Sequence, residues 1–306
     1  MKAFALTSLN APPALRGDMP APTPAEGEVL VRVQASSANP VDNAIAAGML
    51  AAMFEYEFPV VLGRDYAGVV ERVGAGVTRF AAGDEVFGFV PHADPAVHNG
   101  SWAELVALPE DRAVARSPAG VDVASAGAAA LAGISAMLSV DALALSEGDR
   151  LLVVGAMGGV GSFAVQLSAH AGATVIAPAL PDDEGYLRGL GVAELIERGS
   201  DVAAAVRGVD AVLDLVSYTP DEFEAHASAL RKRGRGASTI GAAGDAPGRT
   251  NVVAMPTAEN LERLARLLES GVAKVPIQAT YGLDRAGEAL EALATKHVQG
   301  KIAIRV

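Results

Sequence analysis

The segment Arg150-Leu151-Leu152-Val153-Val154-Gly155-Ala156-Met157-Gly158-Gly159-Val160-Gly161 constrains the fold more than any other part of this chain. Four consecutive apolar residues, Leu151 to Val154, predict a strand buried on both faces. The small-residue run behind them predicts a turn into a helix that starts near Val160 and continues as Ser162-Phe163-Ala164-Val165-Gln166-Leu167. Read from Ala156, the turn is A-x-G-x-x-G, a dinucleotide fingerprint with alanine in the place of its first glycine. Small residues let the backbone approach a pyrophosphate, and the helix start offers free N–H groups and the positive end of a dipole. Ala156, Met157, Gly158, Gly159 and Val160 are therefore candidate cofactor contacts. The next strand, Thr174-Val175-Ile176-Ala177, arrives after the helix end Ala169-His170-Ala171-Gly172-Ala173, as a βαβ unit requires.

Around this unit the texture of the chain changes twice. Residues 1–120 alternate short apolar runs with Pro and Gly, as in Val29-Leu30-Val31-Arg32-Val33, which predicts a curled antiparallel sheet. From 121 to 265, strands at Arg150–Gly155, Thr174–Ala177, Ala211–Leu215 and Ala237–Ile240 alternate with helical stretches, the pattern of a doubly wound parallel sheet. The tail predicts helices over Thr257–Ser270 and Leu283–His297 and a last strand, Lys301–Val306. The fold class is thus α/β, with a β-rich part and a Rossmann part.

Composition narrows the function. There is no cysteine, which excludes disulfides, thiolate metal sites, iron–sulfur clusters and cysteine nucleophiles. The formal net charge of −12 opposes unspecific binding to nucleic acid or to an anionic membrane. The densest basic run, Arg231-Lys232-Arg233-Gly234-Arg235, lacks interleaved aromatics and reads as a helix-end cap. The uncharged stretch Val123–Val140 is built largely of Ala, Gly and Ser, and reads as a buried helix rather than a membrane span. Met1 leads into Lys2-Ala3-Phe4-Ala5-Leu6-Thr7, which reads as a strand and not as a leader, so the expected compartment is the cytoplasm.

The coenzyme is less legible. NAD enzymes expect a carboxylate at the end of the second strand to hold the ribose 2′-hydroxyl. Here the chain runs Ala177-Pro178-Ala179-Leu180, which leaves room for the 2′-phosphate of NADP, yet Pro181-Asp182-Asp183-Glu184 would repel a phosphate. Arg188 or Arg198 can reach the phosphate from further along, or each is an ordinary surface cation. The balance favours NADPH slightly over NADH.

A set of ordered motifs covers nearly the whole chain. They are Ser37-Ala38-Asn39-Pro40-Val41-Asp42, Pro59-Val60-Val61-Leu62-Gly63-Arg64-Asp65-Tyr66-Ala67-Gly68, Val73-Gly74-Ala75-Gly76-Val77, Phe80-Ala81-Ala82-Gly83-Asp84-Glu85-Val86, Gly100-Ser101-Trp102-Ala103-Glu104 and Gly300-Lys301-Ile302. In these the chain resembles the zinc-independent quinone oxidoreductases of the medium-chain dehydrogenase/reductase superfamily. The resemblance implies a GroES-like catalytic domain made from residues 1–120 and 266–306, with a Rossmann nucleotide-binding domain, 121–265, inserted between them. It implies that NADPH delivers a hydride to a quinone or to the β-carbon of an enone, a small-molecule substrate, in a cleft where the two meet. Zinc-dependent relatives place Cys where Asn39 lies and His-Glu where Arg64-Asp65 lie, so no metal is expected, and His92, His98 and Asp84 are no substitute.

By the same resemblance Asn39 and Asp42 sit beside the nicotinamide as catalytic residues, Asn39 with an amide that donates and accepts. Asp42 has an alternative role in stabilising its turn. Ser135 stands near the cofactor phosphates, Val216 and Ser217 border the adenosine side, and Ile240 and Gly241 lie near the carboxamide. The chain also departs from the family pattern. Asn43-Ala44-Ile45-Ala46-Ala47 lacks the usual polar groups, Leu180 and Asp182 replace phosphate ligands, and Ser217-Tyr218 stands where small glycines are usual. Tyr56, Tyr66 and Tyr281 are candidate proton donors, each with a buried structural role as the alternative. An alternative function is a nucleotide-binding redox sensor with little turnover. A homodimer is expected through sheet edges near Ala237–Gly241.

Overall fold

Strands and helices build the chain in a computed structural model that describes residues 1–306 except 94, 95 and 296, and only the backbone of residue 203. Contacts divide it into two units: residues 1–131, 255–269 and 277–306 form the first, and 132–254 with 270–276 form the second.

The first unit opens with β1 (Ala3–Leu6), β2 (Ala14–Arg16), β3 (Glu28–Ala38), the short helix α1 (Pro40–Ala46), β4 (Val60–Val61) and β5 (Asp65–Val73). It continues through β6 (Glu85–Phe89), β7 (Leu105–Pro109), β8 (Ala115–Arg116) and the turn of helix α2 (Val123–Ala126). β3 is the spine of this unit: it pairs antiparallel with both β5 and β7. Its alternating Val29, Val31 and Val33 pack on Tyr66, Val70, Val86, Val106 and Leu108. Gly68 permits the close approach of β5, since a Cβ there would lie 2.0 Å from the Arg32 carbonyl oxygen. A second cluster joins Phe4, Leu6, Ile45, Leu62 and Trp102, with the Phe4 and Trp102 rings edge to face at 5.8 Å.

The second unit is the doubly wound part. Helix α3 (Ala130–Leu143) leads to β9 (Arg150–Val154), α4 (Gly159–His170), β10 (Thr174–Ala179), α5 (Glu184–Leu190), β11 (Glu194–Glu197), α6 (Val202–Ala205), β12 (Val209–Asp214), α7 (Pro220–Ala227), β13 (Leu230–Ser238) and β14 (Arg249–Asn251). The six strands run parallel in the order β11-β10-β9-β12-β13-β14. The chain then returns to the first unit with α8 (Ala258–Glu269), β15 (Ile277–Gly282), α9 (Ala286–Thr295) and β16 (Lys301–Arg305), where β16 pairs with β3. Helix α8 buries Leu261, Leu264, Ala265 and Leu268, a one-face stripe of helical spacing.

Several expectations are corrected. The uncharged stretch from Val123 is broken into α2 and α3 rather than forming one helix. The basic run 231–235 lies in β13, not at a helix end. Arg231 pairs with Asp210 on β12 and Arg235 with Asp149 just before β9, so carboxylates of the same sheet engage two of its four cations. Strand β13 is not an edge, because β14 covers it, and the expected dimer edge at Ala237–Gly241 is therefore interior. The contact boundaries also differ from 120 and 265: α2 packs on β3, and α8 packs on β8 in the first unit. The second tail helix runs Ala286–Thr295 after a short 3₁₀ turn, and residue 296 of the expected span lies outside the described residues. Among the described residues no helix is long and apolar enough to cross a membrane.

Candidate active site

In the second unit, the carboxyl ends of adjacent parallel strands gather most of the expected residues on one rim. The rim begins with the glycine turn. Gly155 leaves β9 with φ +90°, and a Cβ there would meet Val216 Cγ1 at 2.9 Å. Gly161 lies on the first turn of α4, where a Cβ would stand 2.2 Å from the Gly155 carbonyl oxygen. Gly158 differs from both. The nearest neighbour to an added Cβ there is the Gly155 carbonyl oxygen at 3.7 Å, an ordinary contact, so Gly158 is the one glycine of the three with room in front of it at the start of α4. Three glycines thus serve three purposes: a left-handed turn, an open approach and tight helix–strand packing. The turn glycine is Gly155, one place before Ala156, which is buried. Met157, Gly159 and Val160 are half-buried, and the Tyr186 hydroxyl donates to the Met157 carbonyl at 3.4 Å. Burial pushes the Tyr186 phenol up to about 12, which keeps it neutral.

Leu180 follows β10 and is exposed; its N–H donates to Asp183 Oδ2 at 3.1 Å. That buried carboxylate is turned inward, and Glu184 is paired with Arg188 at 2.7 Å. The two candidate arginines separate cleanly. Arg188 also donates to the Ala193 carbonyl, which precedes β11 and so marks the opposite end of the sheet from the rim. Arg198 follows the carboxyl end of β11, is exposed, and its backbone N–H bonds the Ala179 carbonyl at 2.9 Å.

Beyond β12, Asp214 organises the turn. Its fully buried carboxylate accepts from Val216 N–H (2.9 Å), Ser217 N–H (3.0 Å), Ser217 Oγ (2.7 Å) and His226 Nδ1 (2.7 Å). Burial opposes its ionisation, but the His226 ring and these N–H and O–H donors hold it below the usual carboxylate range. Ile240 is exposed and Gly241 faces open space, both after β13. Ser135 is buried on α3, where its carbonyl accepts from Ser139 Oγ.

In the first unit, polar side chains are drawn inward. Asn39 precedes α1, and Pro40 fixes the first helical position. Asp42 Oδ2 accepts from Asn39 N–H at 2.8 Å and Asp42 Oδ1 accepts from Gly63 N–H at 3.1 Å, with Arg64 Nε 3.8 Å away. Asp42 is fully buried, and these bonds give it a turn-stabilising role. Burial pushes its carboxyl up to about 6, against the pull of Arg64 and the Asn39 N–H. Arg64 is itself buried and donates to the Pro91, Val61 and Asn99 carbonyls; burial lowers it to about 10.

The Asn39 side chain does not cap its helix. Its Oδ1 accepts from Lys301 Nζ at 2.5 Å and its Nδ2 donates to Asp65 Oδ2 at 2.9 Å. Asp65 also accepts from Ser37 Oγ (2.6 Å), Leu131 N–H (2.6 Å) and Lys301 Nζ (3.3 Å). Lys301, with 3% of its side chain exposed, and Asp65 are not among the residues expected at the site. Of the tyrosines, Tyr66 donates to the Ala113 carbonyl and Tyr56 to the Ile45 carbonyl, both structural bonds.

With this geometry in view, the comparisons with known proteins converge. Residues 25–119 match the alcohol dehydrogenase GroES-like domain, and residues 190–304 match the zinc-binding dehydrogenase family. A chloroplast envelope quinone oxidoreductase homolog of Arabidopsis thaliana is 31% identical over 94% of this chain and 92% of its own length. This chain belongs to the quinone oxidoreductase family of the medium-chain dehydrogenase/reductase superfamily. Within that family it is also similar to the NADPH-dependent alkenal/one oxidoreductase of A. thaliana, 28% identical over 95% of this chain and 75% of that protein. Among solved structures, the quinone oxidoreductase from Coxiella burnetii superposes with a TM-score of 0.90 at 27% identity, covering 100% of this chain and 99% of that one. The fold, a GroES-like part and a parallel-sheet Rossmann-like part, is that of this superfamily.

Proposed function

We propose that this chain is a zinc-independent, NADPH-dependent oxidoreductase that reduces a quinone, or an enone at its β-carbon. The observation that carries the reading is the glycine turn at the start of α4, where Gly158 has room for a close approach between Gly155 and Gly161 in packed positions. That arrangement fits a pyrophosphate, which α4 receives with free N–H groups and its dipole. Bound NADPH would supply the hydride, and water would supply the proton, to the oxygen of a hydroquinone anion or to the α-carbon of an enolate. The chain's own contribution is binding and orientation. Met157, Gly158, Gly159 and Val160 hold the pyrophosphate, Leu180 and Val216 offer apolar cover, and Ile240 and Gly241 complete the rim. Arg198 supplies the cation for a 2′-phosphate, and the inward turn of Asp183 removes one of the charges that would repel it. The similarity to an NADPH-dependent alkenal/one oxidoreductase supports the same preference.

The donor set supports zinc independence. The residues at the positions where zinc-dependent relatives carry ligands are Asn39, Arg64 and Asp65, and Lys301 already contacts two of them. A divalent cation there would face an ammonium and a guanidinium in a buried setting, where like charges repel strongly. A homodimer is also proposed, now through the short edge β14; sedimentation as a monomer at micromolar concentration would remove it.

The test is NADPH oxidation at ~340 nm, the nicotinamide absorbance, with a simple benzoquinone and with an alkyl vinyl ketone, before and after chelator treatment. Turnover that survives chelation is expected. Tight NADPH binding with no turnover on either acceptor would favour the nucleotide-binding sensor instead.

A further inference from the structure

The turn after β12 is held unusually firmly for a segment that displays apolar side chains. On its near side the Asp214 carboxylate takes the Val216 and Ser217 N–H groups. On its far side Glu222 Oε2 takes the Tyr218 and Thr219 N–H groups at 2.9 and 3.1 Å, while Thr219 Oγ1 accepts from Glu222 N–H at 3.3 Å. This last pair is a reciprocal capping box for α7. Four consecutive backbone N–H groups are thus fixed by two carboxylates. Side chains alternate along the turn: Ser217 points inward and is buried, whereas Val216 is 46% exposed and Tyr218 75% exposed. Val216 packs against Gly155, so the turn adjoins the glycine loop. A rigid backbone presenting an open aromatic face is a pre-organised recognition surface, because little conformational freedom remains to be lost on binding.

We propose that Tyr218 is the stacking platform for the adenine ring of the dinucleotide, a deepening that rests on the cofactor reading above. Two features favour adenine over the other ends of the cofactor. The reacting nicotinamide needs a water-excluded setting, and a tyrosine three-quarters exposed belongs to the end that stays wet. The neighbouring carboxylates Asp214 and Glu222 disfavour phosphate, yet leave a neutral purine unpenalised. An aromatic face accepts any flat ring of this kind by stacking.

Calorimetric titration of the full chain with NADPH, 2′-phospho-ADP-ribose and reduced nicotinamide mononucleotide separates the possibilities. Tyr218→Ala is expected to weaken NADPH and 2′-phospho-ADP-ribose by about tenfold each and to leave reduced nicotinamide mononucleotide unchanged. Tyr218→Phe is expected to stay within about twofold of the parent, since stacking needs no hydroxyl. A Tyr218→Ala protein that melts like the parent and binds 2′-phospho-ADP-ribose equally well overturns the platform while leaving the cofactor reading intact. Equal losses in the Ala and Phe variants also overturn it, by pointing to the hydroxyl. A parent protein that binds neither NADPH nor 2′-phospho-ADP-ribose overturns both.

Discussion

The two polar centres of this protein spend their hydrogen-bonding capacity in opposite ways. In the first unit, Asp42, Arg64, Asp65 and Lys301 are all buried, two acids against two bases, and Asn39 is shared among them. In the second unit, the Asp214 and Glu222 carboxylates fix a turn, but the backbone at Gly158 and the side chains of Val216, Tyr218 and Ile240 remain open. The first centre is satisfied within its own chain; the second leaves apolar and aromatic side chains exposed. Burial of polar groups therefore separates the two centres less well than the room left at Gly158 and the side chains exposed beside an immobilised turn.

The sharpest way to break this contrast is at Lys301. Lys301→Met leaves Asp65 charged and buried without its cation, and about 3–5 kcal/mol of stability should be lost. Adding Asp65→Asn should recover a large part of it; urea melts of the single and double variants measure both. A Lys301→Met protein as stable as the parent would mean the buried pair is idle.

Asp42 gives the next largest effect, and its sign is opposite to that of a salt-bridged acid. Its carboxyl titrates near 6 in the folded chain, above an ordinary value of 3.8, so the folded state holds more protons between those limits. Its contribution is fully present below about pH 4, is lost as pH rises through 6, and is flat beyond, a change on the order of 2–3 kcal/mol. Subtracting the stability–pH curve of Asp42→Asn from that of the parent should isolate this fall.

At the open rim, effects should appear in binding and not in folding. Gly158→Ala adds a methyl in ordinary contact with the Gly155 carbonyl, at an extended backbone conformation any residue adopts, so stability should hold or rise by about 0.5 kcal/mol. NADPH affinity should nevertheless fall by at least about tenfold, because the methyl stands where the pyrophosphate approaches. Gly161→Ala should do the reverse and destabilise the fold, since its methyl meets the Gly155 carbonyl. Smallest of all, Arg198→Gln should cost about tenfold in NADPH affinity, leave NADH affinity unchanged and flatten the salt dependence, with melting unaltered.

The same contrast explains what is legible in the chain. The glycine turn, β9, β10 and the amphipathic α8 announce themselves through local periodicity. Strands β11 and β14 do not, because as edge strands they are short and largely exposed, with no apolar run to betray them. Lys301 stands in the sequence only as part of the Gly300-Lys301-Ile302 motif, and its partner Asn39 is 262 residues away. The run 231–235 misleads for a related reason: Asp149 and Asp210, which pair with two of its cations, are brought alongside only by the parallel sheet. Arg188 and Arg198 are told apart only once β11 shows which end of the sheet each occupies. The glycine turn is legible because a strand end and its turn are coded locally, and Val216, Ser217, Ile240 and Gly241 are reached through the family resemblance, whereas the bonds of the buried centre depend on long-range pairing.

The central claim is hydride transfer, and an isotope label tests it most directly. NADPH deuterated at the transferring position of C4 is supplied with an alkyl vinyl ketone, and the saturated ketone is analysed by mass spectrometry and NMR. One deuterium at the β-carbon, with the α-carbon proton drawn from water, is the predicted result. Saturated product without deuterium at the β-carbon, or no product while NADPH remains bound, would contradict the account.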